Sequence, residues 1–307
     1  MEQMTRAMST YYSARGPSRM NASIQKFSPD LTLTSVGGYF RRMTSQTESQ
    51  LLYPLEPYID SSAVIASGVL EGICPVCGNR TTFVDFTENL RESGGCLLCG
   101  SSNRQRQMAL MVRRRFNLSP IGPIWFPQSF SFYNVEANGP LHNRLMINPG
   151  YICSEYFGEG HPGGEIINKI RHEDLQKLSF ESKSLDLVLS SDVLEHVPAP
   201  YDAHMEVFRV LKPGGRHIFT APFNPLTIED DVRAVIENGE VKYLAEKLYH
   251  SDPVRPSEGV LVWTIFGVEM IRKLETLGFK VRAWNLYEPE SGIVGNCNTI
   301  FEAEKPA

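Results

Sequence analysis

Four cysteines occur in two Cys-x-x-Cys pairs, and each pair is followed by a glycine. Cys74 and Cys77 form the first pair, and Cys96 and Cys99 form the second. Four thiolates at this spacing suit a tetrahedral Zn²⁺ ion, and a site filled by four protein ligands is closed and structural rather than catalytic. A single pair would also fit redox thiols, so it is the doubled pattern that favours the metal. The sequence therefore predicts a small zinc-ribbon module with Zn²⁺ as its structural cofactor.

A second group of reactive side chains follows the apolar run LDLVLS, where Asp192, Glu195 and His196 stand close together; His250 and Asp252 form another such group later in the chain. Histidine has a pKa near neutral and suits the removal of a proton from an acceptor, so His196, His250 and Asp252 are the catalytic candidates. Structural roles are open for the same residues. His196 would then bond to backbone at a helix start, His250 would lie in a surface loop, and Glu195 would be a structural partner in the turn.

From about residue 130 onward, short apolar runs alternate with helical patterns. The near-continuous apolar character of the central runs favours a parallel sheet covered on both faces, which is a doubly wound, Rossmann-like α/β fold. Candidate strands lie at 131–135, 151–156, 185–190, 216–222 and 279–287, and candidate helices at 141–146, 201–211 and 268–277. Ligands of such sheets bind at the carboxyl ends of the strands, so those ends must position the site.

Polar residues follow several of these strands. Glu155 ends the second candidate strand, and a carboxylate there can accept hydrogen bonds from both hydroxyls of a ribose. An aspartate at the next strand end can accept a hydrogen bond from an adenine amine. The strand ends together therefore describe a pocket for a nucleoside-type cofactor.

The run LSFESKSLDLVLSSDVLEHVPAPYDAHMEVFRVLKPGGRHIFTAPF carries a specific likeness. It resembles class I S-adenosylmethionine-dependent methyltransferases, closest to the type 11-like group, and the likeness extends over roughly residues 130–305. The resemblance implies a mostly parallel sheet of the seven-stranded methyltransferase type, with S-adenosylmethionine as the cofactor. It also implies that Glu155 binds the ribose, that Asp174 with Leu175 contacts the adenine, and that Ser191 and Asp192 line the methionine side. His196 would face the acceptor.

The first loop departs from the family pattern. The family has two or three glycines there, whereas this chain has only Gly139, followed by proline. Glu136 fits the acidic position before that loop, and the side-chain amide of Asn138 can replace a backbone contact. The predicted cofactor-binding loop is therefore Glu136, Ala137, Asn138 and Gly139.

Three regions follow from these patterns: a flexible or lid-like segment at 1–50, the zinc-ribbon module with a basic helix at 51–125, and the S-adenosylmethionine-binding domain at 126–307. The net charge of −5 gives no general attraction to nucleic acid. No apolar run approaches the ~18 residues of a membrane span, and the start of the chain lacks a secretory pattern. We therefore expect a cytoplasmic protein with a small-molecule acceptor, and a homodimer is one arrangement open to it.

The predicted function is transfer of a methyl group to an oxygen or nitrogen of a small molecule such as a sugar, a lipid precursor or a secondary metabolite. One alternative is an RNA methyltransferase that grips RNA through the zinc ribbon and the nearby arginines, among them Arg104 and Arg106. Another is a non-catalytic S-adenosylmethionine-binding protein, which the glycine-poor first loop would explain.

Overall fold

The computed structural model describes residues 62–225, 227–250, 259–295 and 298–307 of the 307-residue chain. The predicted N-terminal segment at 1–50 and the candidate Asp252 lie outside the described residues. Among the helices within the described ranges, none has the length and apolar character needed to cross a membrane.

The cysteine block forms a small antiparallel sheet. Its strands lie side by side in the order β1-β2-β3, and the two cysteine pairs lie in the turns next to this sheet. A helix follows directly, and its N-terminus is closed by a capping box between Ser102 and Gln105. The elements are α1 (Ser62–Ser67), β1 (Val69–Ile73), β2 (Arg80–Val84), β3 (Gly95–Cys96) and α2 (Asn103–Arg115).

The rest of the chain builds one large α/β unit. Its elements are β4 (Phe132–Asn134), α3 (Gly139–Leu145), β5 (Tyr151–Glu155), β6 (Ile166–Ile167), β7 (Ile170–His172), β8 (Leu185–Ser191), α4 (Pro200–Val210), β9 (Leu211–Thr220), β10 (Asp231–Val232), β11 (Ala234–Glu237), β12 (Glu240–Tyr243), β13 (Tyr249–His250), β14 (Val260–Leu261), β15 (Thr264–Ile265), α5 (Glu269–Thr276), β16 (Lys280–Asn285) and β17 (Thr299–Glu304).

The main sheet has eight strands in the order β16-β17-β9-β8-β4-β5-β7-β6. The central pairs β9-β8, β8-β4, β4-β5 and β5-β7 are parallel, whereas β17 is antiparallel to both of its neighbours. The predicted doubly wound, mostly parallel α/β sheet is confirmed. The two-residue β6 is an addition at one edge, where it forms a tight antiparallel pair with β7.

The segment between β9 and α5 forms small antiparallel pairs beside the main sheet. Strand β10 pairs with β15, β11 with β12, and β13 with β14. The backbone amide of Trp263 donates to the carbonyl of Glu195 at 2.7 Å, which ties this insertion to the turn after β8. The insertion therefore lies next to the carboxyl end of the central strand.

The two faces of the main sheet carry separate hydrophobic clusters. One contains the inward residues of α4 and α5. The other contains Phe132 and Leu187 of the sheet, Met108 of α2 and the buried Cys74 and Cys96. Because the cysteine block shares a core with the sheet, it is packed onto that face rather than tethered beside it.

Candidate functional site

The carboxyl ends of β4, β5, β7 and β8 meet at one edge of the sheet because these adjacent strands run parallel. All nine cofactor-binding residues predicted from the sequence lie at or after those strand ends. They are Glu136, Ala137, Asn138, Gly139, Glu155, Asp174, Leu175, Ser191 and Asp192. The fold thus gathers side chains that are up to 56 positions apart in sequence (192 − 136).

Glu155, the last residue of β5, holds the loop after β4. Its Oε1 accepts a hydrogen bond from the backbone amide of Ala137 at 2.9 Å and another from the side-chain amide of Asn138 at 3.0 Å. Gly139 follows with φ +83°, a left-handed conformation that favours glycine. One carboxylate oxygen therefore fixes the path of the loop at the point where α3 begins.

Asp174 lies two residues beyond β7, on the same edge as Glu155. Its carboxylate accepts the backbone amide of Gln176 at 2.9 Å, which is a local turn contact. The neighbouring Leu175 is buried in the cluster on the α4 side of the sheet. A polar group and an apolar side chain thus lie next to each other at this strand end.

Asp192, just after β8, is bound by two arginines from the cysteine block. Arg91 makes a two-point contact with its carboxylate, with a 2.7 Å bond from one nitrogen, and Arg104 Nε lies 3.4 Å from it. Burial alone would raise the pKa of Asp192, but these guanidiniums hold it below its usual range. Asp192 also has a positive φ of 53°, a strained backbone conformation that often marks functional sites. The contact with Arg91 was not foreseen from the sequence, since the two residues are 101 positions apart.

Arg104 lies at the centre of the polar contacts on this edge. It donates to Glu92 at 2.7 Å, to the carbonyl of Ser191 at 3.2 Å and to the Ser191 hydroxyl. Burial raises the pKa of Glu136 to about 7, although the positive charge of Arg104 acts in the opposite direction. The cysteine block therefore supplies positive charge directly to the predicted methionine side of the pocket.

The two candidate histidines meet although they are far apart in sequence. His196 lies in a 3-10 turn after β8 and His250 in β13, and His250 Nδ1 is 3.0 Å from His196 Nε2. His196 Nδ1 lies 2.8 Å from the carbonyl oxygen of Leu261. A carbonyl only accepts, so Nδ1 of His196 carries a proton. With the His196 ring neutral, its Nε2 accepts a hydrogen bond from His250.

Glu195 completes this group, which we call the Glu–His cluster (Glu195, His196 and His250). Its side chain is fully buried, and its Oε1 lies 3.7 Å from His196 Nε2 and 3.7 Å from His250 Nδ1. Within the described parts of the chain, neither of its carboxylate oxygens has a hydrogen-bond partner. Burial raises the pKa of Glu195 well above its ordinary value and lowers that of His250 to about 3.

The four cysteines converge as their spacing predicts. Their sulfur atoms all lie within 4.8 Å of one another, and Cys74 Sγ is 3.8 Å from Cys99 Sγ. The amides of Gly78 and Gly100 donate to the carbonyls of Cys74 and Cys96, at 2.7 Å each, so the two turns have the same geometry.

This cluster fits Zn²⁺ by distance and by charge. Tetrahedral zinc with a Zn–S distance of about 2.3 Å places its sulfurs about 3.8 Å apart. Four thiolates around a divalent ion would carry a net charge of about −2. The buried Arg106 and Arg113 lie close enough to interact with the thiolates and offset that charge.

The basic residues of α2 are all engaged within the protein. Arg106 donates to the carbonyl of Gly292 at 2.8 Å, and Arg113 donates to that of Pro75 at 2.6 Å. Arg114 pairs with Glu288, and Arg115 lies 3.0 Å from Glu302. The arginine run is therefore mainly a device that attaches α2 and the cysteine block to the sheet.

Residues 155–219 match the family model described as "Methyltransferase domain". An uncharacterized methyltransferase of Mycobacterium marinum is 27% identical over 170 residues, covering 55% of this chain and 63% of the relative. The arsenite methyltransferase of mouse is 32% identical over 80 residues, 26% of this chain and 21% of the relative.

Among solved structures, a S-adenosylmethionine dependent methyltransferase from Mesorhizobium loti aligns with a TM-score of 0.39 at 15% identity, over 65% of this chain and 98% of that one. The chain spans somewhat less than two thirds of the length of the M. marinum relative. The matched residues run from the end of β5 through β9 and include Glu155, Ser191 and Asp192. This stretch of the α/β unit is therefore similar in sequence to a methyltransferase domain.

Proposed function

We propose that this protein transfers the methyl group of S-adenosylmethionine to an oxygen or nitrogen atom of a small molecule. The observation that carries the proposal is the joint geometry of Glu155 and the loop after β4. One carboxylate fixes that loop, at the strand end where this fold binds its ligand. The family match begins at the same residue.

The cofactor would lie along the edge formed by the ends of β4, β5, β7 and β8. Glu155 would accept hydrogen bonds from the ribose hydroxyls, and Asp174 and Leu175 would contact the adenine. Asp192, Ser191 and the loop at 136–139 would face the methionine part. Arg104 adds a positive charge beside them, which suits the methionine carboxylate.

The acceptor would lie on the side of the insertion, against the Glu–His cluster. The side chains of His196 and His250 are 14% and 17% exposed, so neither ring is fully buried. Methyl transfer needs an in-line approach to the sulfonium methyl and removal of a proton from the acceptor. We assign the positioning of the acceptor to this cluster; Asp252, proposed with it, lies outside the described residues.

The four cysteines would hold a structural Zn²⁺ ion. All four ligands come from the protein, so the ion would take no part in methyl transfer. Its role would be to hold the block that carries Arg91 and Arg104 against the cofactor edge.

An RNA methyltransferase is a less favoured second candidate. RNA binding needs basic side chains that are available to phosphates, whereas the arginines at 106 and 113–115 contact carbonyls or carboxylates of the protein itself. The net charge of −5 points the same way. A small-molecule acceptor is therefore the better-supported class.

Calorimetry with S-adenosylmethionine tests the proposal. We expect micromolar binding, weakened about 10–100-fold by Glu155→Ala, because that change removes a charged hydrogen-bond acceptor worth roughly 1.5–3 kcal/mol. Glu159→Ala is the matched control, since Glu159 is exposed and only four positions away. Wild-type protein that does not bind the cofactor would refute the function, and a Glu155→Ala variant with full affinity would refute the ribose assignment. Binding without turnover over a broad acceptor screen would favour the non-catalytic alternative.

A further inference from the structure

We infer that Glu195, His196 and His250 form a binding site for a first-row divalent metal ion, distinct from the four-cysteine cluster. The three residues come from two elements, the 3-10 turn after β8 and strand β13 of the insertion. Their ligand atoms all lie within 4.8 Å of one another.

The distances fit a common ion. Two imidazole nitrogens bound to one metal at about 2.1 Å lie about 3.0–3.4 Å apart in octahedral or tetrahedral geometry. The observed separation of His196 Nε2 and His250 Nδ1 is 3.0 Å. Glu195 Oε1 is 3.7 Å from each of them, so a shift of about half an ångström would place all three around one ion.

The strongest reason is the state of Glu195. A fully buried carboxylate whose oxygens find no hydrogen-bond partner among the described residues is costly to a fold. Two imidazoles face it, and their nearest nitrogens are beyond hydrogen-bond distance. A divalent cation between the three side chains would supply the missing charge and bond.

The orientation of His196 is also that of a metal ligand. Its Nδ1–H is held by the carbonyl oxygen of Leu261 at 2.8 Å, which leaves the lone pair of Nε2 pointing toward Glu195 and His250. Metal-binding histidines usually donate their other N–H to a carbonyl or carboxylate in this way. On metal binding, the proton on Nδ1 of His250 would move to Nε2, so that both rings remain neutral ligands.

The donor set selects the class of ion. Two imidazoles and one carboxylate suit Zn²⁺, Fe²⁺, Co²⁺ or Mn²⁺, whereas Ca²⁺ and Mg²⁺ prefer oxygen ligands throughout. The described residues supply three ligands, which leaves a fourth position to a ligand from elsewhere, and the two histidine side chains are 14% and 17% exposed. This differs from the cysteine cluster, in which protein fills every position.

The open position indicates an acceptor with a hydroxyl group, an inference that rests on the proposed methyltransferase function. An acceptor hydroxyl that binds the ion would release its proton to water more readily. The resulting oxygen would attack the sulfonium methyl and form the new O–C bond. The electrons of the broken S–C bond would stay on sulfur, giving a methyl ether and S-adenosylhomocysteine.

Metal analysis of the full chain with Co²⁺ as the probe tests the site. Protein isolated with zinc in the cysteine cluster is dialysed against Co²⁺, and both metals are counted per chain. We expect one Zn²⁺ and one Co²⁺ in the wild type, without a thiolate-to-cobalt charge-transfer band. Glu195→Gln and His250→Gln should each keep the zinc but weaken Co²⁺ binding. Loss of a group that only hydrogen-bonds a metal ligand weakens binding about 10–100-fold, so loss of a ligand should weaken it at least as much.

The matched control is His161→Gln, since His161 also lies 2.9 Å from a carboxylate, that of Glu165, but is 40% exposed. It should bind Co²⁺ like the wild type. A wild type without Co²⁺, or Glu195→Gln and His250→Gln variants with wild-type Co²⁺ affinity, would overturn the inference. Calorimetry with S-adenosylmethionine on the same samples separates the two proposals, because cofactor binding does not depend on Co²⁺. Circular dichroism confirms that each variant is folded; if one is not, the other carries the test.

Discussion

The four-cysteine cluster and the Glu–His cluster both gather metal-binding side chains, but they are assembled differently. Each half of the cysteine cluster is a local turn closed by a glycine at φ +68° or +72°. The Glu–His cluster joins residues 54 positions apart through a tertiary contact. The cysteine cluster can therefore be predicted from the spacing of its residues. The Glu–His cluster forms only when the segment between β9 and α5 has packed against the turn after β8.

The two clusters also differ in how their charge is balanced. A zinc ion with four thiolates would leave about −2, which lies beside the buried Arg106 and Arg113. In the Glu–His cluster the buried carboxylate faces two imidazoles instead, and burial keeps His250 neutral. The charge of the cysteine cluster is thus offset by arginines beside it, whereas the buried carboxyl of Glu195 has no hydrogen-bond partner among the described residues.

The largest expected effect comes from removing a thiolate. Cys96→Ser should abolish zinc binding and leave the chain largely unfolded, because a structural zinc contributes on the order of 10 kcal/mol and the cysteines share a core with the main sheet. Metal content and thermal unfolding by circular dichroism measure this.

Cys153→Ser is the control for that prediction, since Cys153 lies in β5, outside the cluster, and is half-buried. It should change the free energy of unfolding by about 1 kcal/mol or less. A Cys96→Ser protein that melts within a few degrees of the wild type would contradict this prediction. The four-cysteine cluster would then be no more necessary for the fold than the Glu–His cluster.

The next effect concerns the ion pairs of Arg91 and Arg104 with Asp192, which join the cysteine block to the cofactor edge. Asp192→Asn removes the main counter-charge of Arg91 and one of the two counter-charges of Arg104, which also pairs with Glu92. We expect a loss of about 2–3 kcal/mol, somewhat below the about 3–5 kcal/mol of a fully buried pair, because these side chains are about a fifth exposed. Urea unfolding measures the difference.

Asp231→Asn is the matched change, because Asp231 pairs with Arg233 but is 52% exposed. Its effect should stay below about 1 kcal/mol. Equal losses in the two variants would mean that the bridge to the cysteine block is no stronger than a surface ion pair.

The sequence predicts the sheet, the cysteine cluster and the strand-end residues because each depends on local patterns. Apolar runs gave the five candidate strands, of which the fourth begins earlier, at Leu211 rather than at residue 216. The antiparallel β17 was missed. The arginine run of α2 suggested a nucleic-acid surface, since a residue count cannot show that Arg106 is buried beneath Gly292.

The functional role of Glu195 was also out of reach. The local sequence indicates only a structural partner in its turn, because its surroundings depend on β13 and β14, whose contacting residues are 54 and 65 positions from His196. Asp192 illustrates the same limit: its place on the cofactor edge was predicted, but its pairing with Arg91 depends on how two separately folded patterns dock. Contacts between distant elements are what the linear pattern leaves open.

A smaller effect concerns two buried histidines that lie outside the Glu–His cluster. His204 and His217 are buried with ring centroids 5.5 Å apart, and burial lowers the pKa of His204 to about 3. In the unfolded chain the pKa of a histidine is about 6.5. The two neutral imidazoles therefore contribute their full stability above that pH, and this stability is lost as pH falls toward the pKa of the folded state. We expect His204→Phe to reduce the loss of stability between pH 7.5 and 5 by about 2 kcal/mol.

Urea unfolding at the two pH values measures that change, with the exposed His161→Gln as control. If the pH dependence of stability is unchanged in His204→Phe, the buried pair of His204 and His217 is not the cause of the loss of stability at low pH. The His204→Phe variant should also bind Co²⁺ like the wild type, because the pair of His204 and His217 is separate from the Glu–His cluster.

The smallest expected effect lies on the outer side of α2. Arg114 is 49% exposed and pairs with Glu288, which is 33% exposed, so Arg114→Ala should change the free energy of unfolding by less than about 0.5 kcal/mol. Chemical denaturation resolves a difference of this size only if the slope of unfolding is unchanged. A loss above about 1 kcal/mol would mean that the outer face of the helix also anchors the cysteine block. The stability of that block would then depend on contacts spread around α2, and not mainly on the thiolates and the buried arginines beside them.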